Sequence, residues 1–332
     1  MLTEPDGLGA DVLASALARE WQLAAASITH RPVGFGSHHW AVTDESGTRW
    51  FATADELEVK RLSLSEPLDA VFARLSAALG AAMDLRAHGR DFVVAPVPTV
   101  SGGPLARQGE RFSIALYPFV DGTSFEWGDF GAPGHRLAIV KLLVGVHTAP
   151  PAAVRRALAD DFTIPHRDEL EAALDPFGGA PQDLGPFARP LAALLAANAE
   201  PIRRQLGRYD ELAVRTRSAG GPVVLTHGEP HPGNTMLTAD GWRLIDWDTA
   251  LIARPERDLW DLDPGDGSVL AAYADAIGIA PSTAALDLYR LRWDLADLAV
   301  GVSRLRARHA GSADDRKSWN LLRSLVERMA RW

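Results

Sequence analysis

The chain contains no cysteine, which excludes disulfides, thiolate metal ligands and thiol nucleophiles. Lysine is scarce, with only Lys60, Lys141 and Lys317 among 332 residues. Any site that needs an ammonium group has three candidates to draw on. No run approaches the roughly 20 apolar residues of a membrane span, and no basic segment leads into an apolar core at the N-terminus. The reading is therefore a cytoplasmic protein that neither enters nor crosses a membrane. Positive charge is in deficit as well, with a net charge of −9. That balance argues against a nucleic-acid backbone as partner and favours neutral or cationic small molecules.

What is present is the composition of an ordinary globular protein, 47% hydrophobic and 23% charged, long enough for two lobes that each bury a core. The organising stretch is Val223 to Asp248, VVLTHGEPHPGNTMLTADGWRLIDWD. A β-branched run ends at Thr226, and two prolines and two glycines then forbid helix and impose a fixed loop. Thr235–Leu237 and Trp242–Ile245 read as a hairpin around Ala239-Asp240-Gly241. Glu229, Asn234 and Asp246 are thus projected from the ends of short strands. Phosphoryl transfer uses such a set: a carboxylate to receive the proton of the attacking hydroxyl, then an amide and a carboxylate to hold magnesium on nucleotide phosphates. Asn234 follows Glu229 by five positions and Asp246 follows Asn234 by twelve, in the order base, asparagine, aspartate that protein kinases use. A zinc site at His227 and His231 is disfavoured, because Pro230 and Pro232 deny the pair a shared helical face.

HGEPHPGN followed by LIDWD resembles the His-Gly-Asp-x-x-x-x-Asn and Ile-Asp-x-x signatures of the aminoglycoside phosphotransferase family, small-molecule relatives of the protein kinases. The Gly34-Phe35-Gly36-Ser37 loop, LYPFVDG at 116–122 and PERDLWDL at 255–262 extend the resemblance over most of the chain. The 116–122 run is similar to that of the spectinomycin phosphotransferase subgroup. The resemblance implies an α+β, protein-kinase-like fold of two lobes: an antiparallel sheet with one crossing helix at 1–120, and a mainly helical lobe at 121–332. It implies ATP or GTP as donor, Mg2+, and a cationic sugar-like acceptor such as an aminoglycoside or aminocyclitol, in a monomer or homodimer. Glu229 would take the proton, and Asn234, Asp246 and Asp248 would hold the metal. Gly34, Gly36 and Ser37 would cover the phosphates, Leu116, Tyr117 and Phe119 would form the base-binding hinge, and Asp258 would brace the catalytic loop.

Along the chain, 11–26 reads as a helix and 28–33, 38–43 and 48–54 as strands. Pro67–His88 is a helix by its apolar spacing, and β runs follow near 92–100, 105–107 and 111–119. The remainder reads as helical at 136–149, 186–217, 268–278, 282–308 and 314–331, with 150–185 irregular and a candidate lid. Nine acids lie between 255 and 300, against three arginines. Among these, Asp261, Asp263 and Asp294, with Trp260, are the candidate substrate residues, since acids beside aromatic walls suit an ammonium-bearing ring.

Three positions depart from the family pattern. Glu229 stands where aspartate is usual and reaches one methylene further. Thr53 stands where the third strand carries a phosphate-gripping lysine, and that lysine's glutamate partner on the crossing helix has no counterpart. The two losses belong together, since an unpaired buried glutamate is costly. Lys60 or Arg74 is then expected to supply the cation. Two other readings stay open: a kinase of another metabolite (choline, homoserine or a sugar), and a silent kinase-like binding protein.

Overall fold

The computed structural model describes residues 1–34, 36–128, 130–131, 134–175 and 184–329. Helix α1 (Ala10–Trp21) precedes strands β1 (Ala25–Arg31), β2 (His38–Asp44) and β3 (Arg49–Glu56). Helix α2 (Leu68–Ala87) follows, then β4 (Ala106–Gln108) and β5 (Phe112–Pro118). The five strands form one antiparallel sheet in the order β1-β2-β3-β5-β4. Alternation along the strands divides the sheet into two faces. Trp40, Val42, Ala52, Ala54, Ile114 and Leu116 pack with Leu13 and Leu17 of α1 into one buried cluster. The intervening residues of β3, Phe51, Thr53 and Asp55, face the other way.

That other side is the cleft. Helix α2 buries Val71, Leu75, Leu79 and Leu85 in a core shared with the second half of the chain. The segment after α2, expected as a strand at 92–100, is instead a single bridge between Val93 and Leu244. The Val94 and Leu244 amides donate to the Leu244 and Phe92 carbonyls. Its backbone partners lie about 150 positions downstream, beyond the range of local pattern reading.

Beyond β5 come β6 (Thr123–Ser124) and helices α3 (His135–His147), α4 (Arg167–Ala173), α5 (Ala188–Ala197) and α6 (Ala199–Ala219). Strand β7 (Val224–Thr226) leads into the HGEPHPGN loop, then the hairpin β8 (Thr235–Thr238) and β9 (Gly241–Leu244), and β10 (Leu251–Ala253), which returns to pair with β7. Helices α7 (Glu256–Leu259), α8 (Ser268–Ile277), α9 (Thr283–Arg306) and α10 (Ala313–Met329) complete the lobe. The stretch read as irregular contains α4, and residues 176–183 of that candidate lid lie outside the described residues. Helix α9 is the lobe's axis: Leu288, Leu291, Leu295, Leu298 and Val302 recur at helical spacing in a core with α4, α5, α6 and α10. Ser282 caps it, accepting from the Ala285 amide at 3.4 Å. No helix among the described residues is long and apolar enough to cross a membrane.

Candidate active site

The HGEPHPGN loop is held from behind. Asp258, fully buried at the start of the short α7, accepts from the backbone amides of His227 (2.9 Å) and Gly228 (2.6 Å). His147 of α3 lies 3.0 Å from the same carboxylate, and its other ring nitrogen is 2.9 Å from the Tyr273 hydroxyl. Burial works against the Asp258 charge, but the His147 hydrogen bond and nearby cations hold its carboxyl below the usual carboxylate range. His227 donates from Nε2 to the Ile245 carbonyl (2.8 Å), while its Nδ1 accepts from the Glu229 amide (3.2 Å). One neutral imidazole thus fixes the loop to the strand end that carries Asp246. Gly228 is required here: its φ is +100°, and an added Cβ would lie 2.4 Å from the Arg257 guanidinium. That guanidinium donates to Thr226 Oγ1 and the Thr249 carbonyl, both at 2.8 Å.

From this support the chemistry-bearing groups point into the cleft. Asn234 Nδ2 donates to the Glu229 carbonyl at 3.0 Å, which turns its Oδ1 away from the loop backbone. Asp246 has φ +63°, a left-handed conformation that is costly for a residue with a side chain. Such strain persists only where the surroundings impose it, and here it directs the carboxylate toward Asp248. Burial first, then the Asp248 charge, pushes Asp246 well above the ordinary carboxylate range. Asp248 goes the other way: burial would raise it, but the Lys60 charge and hydrogen bond keep it low. Lys60 thus favours the charge on Asp248, and that charge in turn disfavours one on Asp246. Glu229, with 32% of its side chain exposed, is pushed up to about 7 by burial and then by the Asp248 charge. Asp297 adds to that push, while Arg257 and Lys60 oppose it.

On the opposite wall, Lys60 Nζ lies 2.7 Å from Asp248 Oδ2 and 3.2 Å from Asp55 Oδ1. Asp55 also accepts from Ser37 Oγ at 2.6 Å, linking the glycine loop to the lysine. Gly36 sits close above, where an added Cβ would be 3.7 Å from Nζ; Phe35 lies outside the described residues. Arg74 is elsewhere, bonded to Glu66 (3.3 Å) and to the Lys60 carbonyl (2.6 Å). It supports the lysine's backbone and does not face the carboxylates. Asp84, the other charge of the α2 interior, pairs with Arg156. At the hinge, Leu116 is buried in the sheet core and its carbonyl accepts from Val97, while the Phe119 ring lies under Arg49. Only Tyr117 of the three turns its side chain inward. Its hydroxyl bonds Thr53, and burial, then the charges of Asp246, Asp55 and Asp248, keep it protonated.

Beside Glu229 runs a line of rings: Trp127 to His231 (6.3 Å between centroids), His231 to Trp293 (6.4 Å), and Trp293 to Trp260 (5.7 Å). Asp297 lies one turn of α9 beyond Trp293 and is exposed to solvent. Asp294 is 9% exposed and turned to Arg328 at 3.4 Å. The Asp261 carbonyl accepts from Arg136 (3.3 Å), and Asp263 Oδ1 is buried with no hydrogen-bond partner. Of the four candidate substrate residues, Trp260 therefore borders the recess most directly. The Asp297 charge acts on Glu229, whereas Asp294 is turned to Arg328. The i, i+4 spacing of Trp293 and Asp297 was the available signal. Asp55 was missed too, although strand alternation puts it on the face of Thr53.

Two aspartates and an amide oxygen are a hard donor set. It suits magnesium, which is held by one or two carboxylates together with phosphate oxygens and water. No group of three or more His, Asp or Glu side chains forms a metal cage among the described residues. The profile of the phosphotransferase enzyme family matches residues 28–292.

The chain belongs to the phosphotransferase enzyme family.

Protein StrN of Streptomyces griseus is 31% identical over 252 residues, 72% of each chain. Spectinomycin phosphotransferase, solved with ADP and spectinomycin, shares the fold at TM-score 0.70 and 16% identity over 98% of both chains. Ethanolamine kinase of Plasmodium vivax shares it at TM-score 0.55 and 11% identity, over 90% of this chain and 82% of that one. The expected α+β, protein-kinase-like fold is the one observed, and the chain is a kinase-like small-molecule phosphotransferase of this family.

Proposed function

We propose that this phosphotransferase moves the terminal phosphoryl group of a nucleoside triphosphate, ATP or GTP, to a hydroxyl of a small amine-bearing ring compound of the aminoglycoside or aminocyclitol kind. The observation that carries the reading is the convergence of Glu229, Asn234, Asp246 and Asp248 on one cleft, with Lys60 facing them. The bond from the terminal phosphorus to the leaving nucleoside diphosphate breaks as the bond to the acceptor oxygen forms. The hydroxyl proton passes to a Glu229 carboxylate oxygen. A carboxyl poised near 7 suits that task, being ionised at working pH yet basic enough to accept a proton. Asn234 Oδ1, Asp246 and Asp248 would hold Mg2+, whose chemistry is to neutralise charge on the phosphates. Gly34, Gly36 and Ser37 would lie over the phosphates, and the backbone following β5 would hold the base. The ring wall and the Asp297 carboxylate, beside the proton acceptor, favour an acceptor with apolar ring faces and an ammonium group. Choline-like, homoserine or sugar acceptors remain the second reading, and the ethanolamine kinase likeness supports only its fold. The longer reach of Glu229 is matched by a loop that still turns it toward Asp248, which favours a working site over a silent one.

The test couples two measurements. Thermal shift with Mg2+ and ATP or GTP should show native-state binding. Release of ADP or GDP should then depend on an acceptor drawn from a panel of aminocyclitols, aminoglycosides, choline and simple sugars. Release with a choline or neutral sugar alone would overturn the acceptor class, and no release with any member would overturn the reaction.

A further inference from the structure

Lys60 stands in the turn after β3 with its backbone fixed: its amide donates to the Glu56 carbonyl at 3.2 Å and its carbonyl accepts from Arg74 at 2.6 Å. Its side chain, 18% exposed, spans the cleft between two anionic stations. One is Asp55, on the sheet and tied to Ser37 of the glycine loop; the other is Asp248, beside Asp246. An ammonium 2.7 Å from Asp248 Oδ2 neutralises the carboxylate that would hold a divalent cation and would compete with it for that oxygen. Two cations cannot share the position, because their repulsion at such range is large in a recessed site. Occupancy of Asp248 by Lys60 and by a metal ion are therefore alternatives. The place for a displaced ammonium is close at hand, under Gly36, where polyphosphate oxygens would lie. A lysine suits the exchange, since its compact charge rides on four rotatable carbons and makes no planar fork. Asp55 would stay within reach throughout as the pivot.

We propose that Lys60 is an exchangeable counterion: it neutralises Asp248 in the ligand-free enzyme and swings to the nucleotide phosphates as the metal arrives, so that metal and nucleotide load together. This rests on the reading of the cleft as a metal–nucleotide site. It adds that the site resists metal alone, and that one side chain enforces the coupling.

Calorimetric titration of Mn2+ alone, ADP alone and Mn2+ with ADP tests it, using wild type, Lys60→Met and Lys60→Arg, each shown to be folded by circular dichroism. Lys60→Gln serves in place of Lys60→Met if methionine there unfolds the lobe. The neutral variant is expected to bind Mn2+ alone at least about tenfold more tightly than wild type, and Mn2+ with ADP at least about tenfold more weakly. Lys60→Arg, which keeps the charge, should retain weak binding of Mn2+ alone. Unchanged or weakened Mn2+-only binding in the neutral variant overturns the exchange, even if ADP affinity falls, because Lys60 would then be a phosphate ligand only. A wild type that binds no Mn2+ with ADP overturns the nucleotide reading and this proposal together, so the two failures are told apart.

Discussion

On the HGEPHPGN-loop side of the cleft, backbone groups are tied down by buried, directional hydrogen bonds. Asp258, His227 and Arg257 bond to backbone amides and carbonyls, which cannot move without unmaking the lobe, and His147 backs the Asp258 carboxylate. On the sheet side, a single lysine is shared by Asp55 and Asp248, and the contacts are between side chains. The first arrangement fixes the backbone that carries Glu229, and the proposed proton transfer and in-line attack depend on such positioning. The second leaves charges able to redistribute when a polyphosphate enters. Rigidity sits where geometry matters, and exchangeable charge where a ligand brings its own.

The comparison breaks most directly at Glu229. Glu229→Gln preserves size and the loop's amide contacts but removes the proton acceptor. The expected result is a fall in kcat of about 10²–10⁴-fold with nucleotide affinity within a few-fold of wild type. Steady-state kinetics together with calorimetry would show it. A variant that keeps more than a tenth of wild-type kcat would move the proton acceptor elsewhere, and one that loses nucleotide binding in equal measure would show that the loop side is not independent of the sheet side.

Next in size is the support behind the loop. Asp258→Ala strands two buried amides and the His147 ring, a loss of about 3–5 kcal/mol by the usual cost of breaking a buried charged pair. It should appear as a large drop in the urea midpoint with an unchanged slope. Arg74→Ala on the sheet side, 21% exposed and bonded to Glu66 and the Lys60 carbonyl, removes one partly buried pair and leaves no fully buried charge behind, so it should cost less. Equal losses at the two positions would erase the distinction between a wired wall and a charged one.

How much of this could be read from the sequence follows the same division. The bracing role of Asp258 came from the family resemblance, whereas Glu229, Asn234 and Asp246 lie within 17 positions of each other, on elements whose geometry is dictated by Pro230, Pro232, Gly228 and two short strands. Local rules therefore reach them. Lys60 meets Asp248 across 188 positions, and its rival Arg74 was separated from it only by seeing which carbonyl and which glutamate the guanidinium meets. The sheet's two faces were legible from alternation, yet the Val93–Leu244 bridge was not, because its partner is supplied by tertiary packing. Likewise Asp294 and Asp297 are equivalent on a helical wheel. Arg328, on α10, bonds the first at 3.4 Å, a tertiary pairing that no wheel displays.

The smallest expected effect concerns pH, and it separates by sign a carboxylate that Lys60 grips from one that it does not. Glu229 has a folded-state pKa of about 7 against an ordinary 4.5. Between those values the folded protein binds more protons than the unfolded chain. The slope of unfolding free energy with pH is then negative, and stability falls as pH rises from about 4.5 to about 7. With 32% of the side chain exposed to solvent, screening reduces the full linkage to about 1 kcal/mol. Asp248, held low by Lys60, contributes oppositely: its stabilisation is present above the ordinary aspartate range and is lost as pH falls through it. Urea unfolding of wild type and Glu229→Gln at half-unit steps from pH 4 to 8 would isolate the first contribution, since glutamine does not titrate. The difference curve should decline across pH 4.5–7 and then flatten. A flat difference would mean that Glu229 is an ordinary solvated carboxylate, and kcat/KM would then reach its plateau near pH 5 instead of rising toward 7.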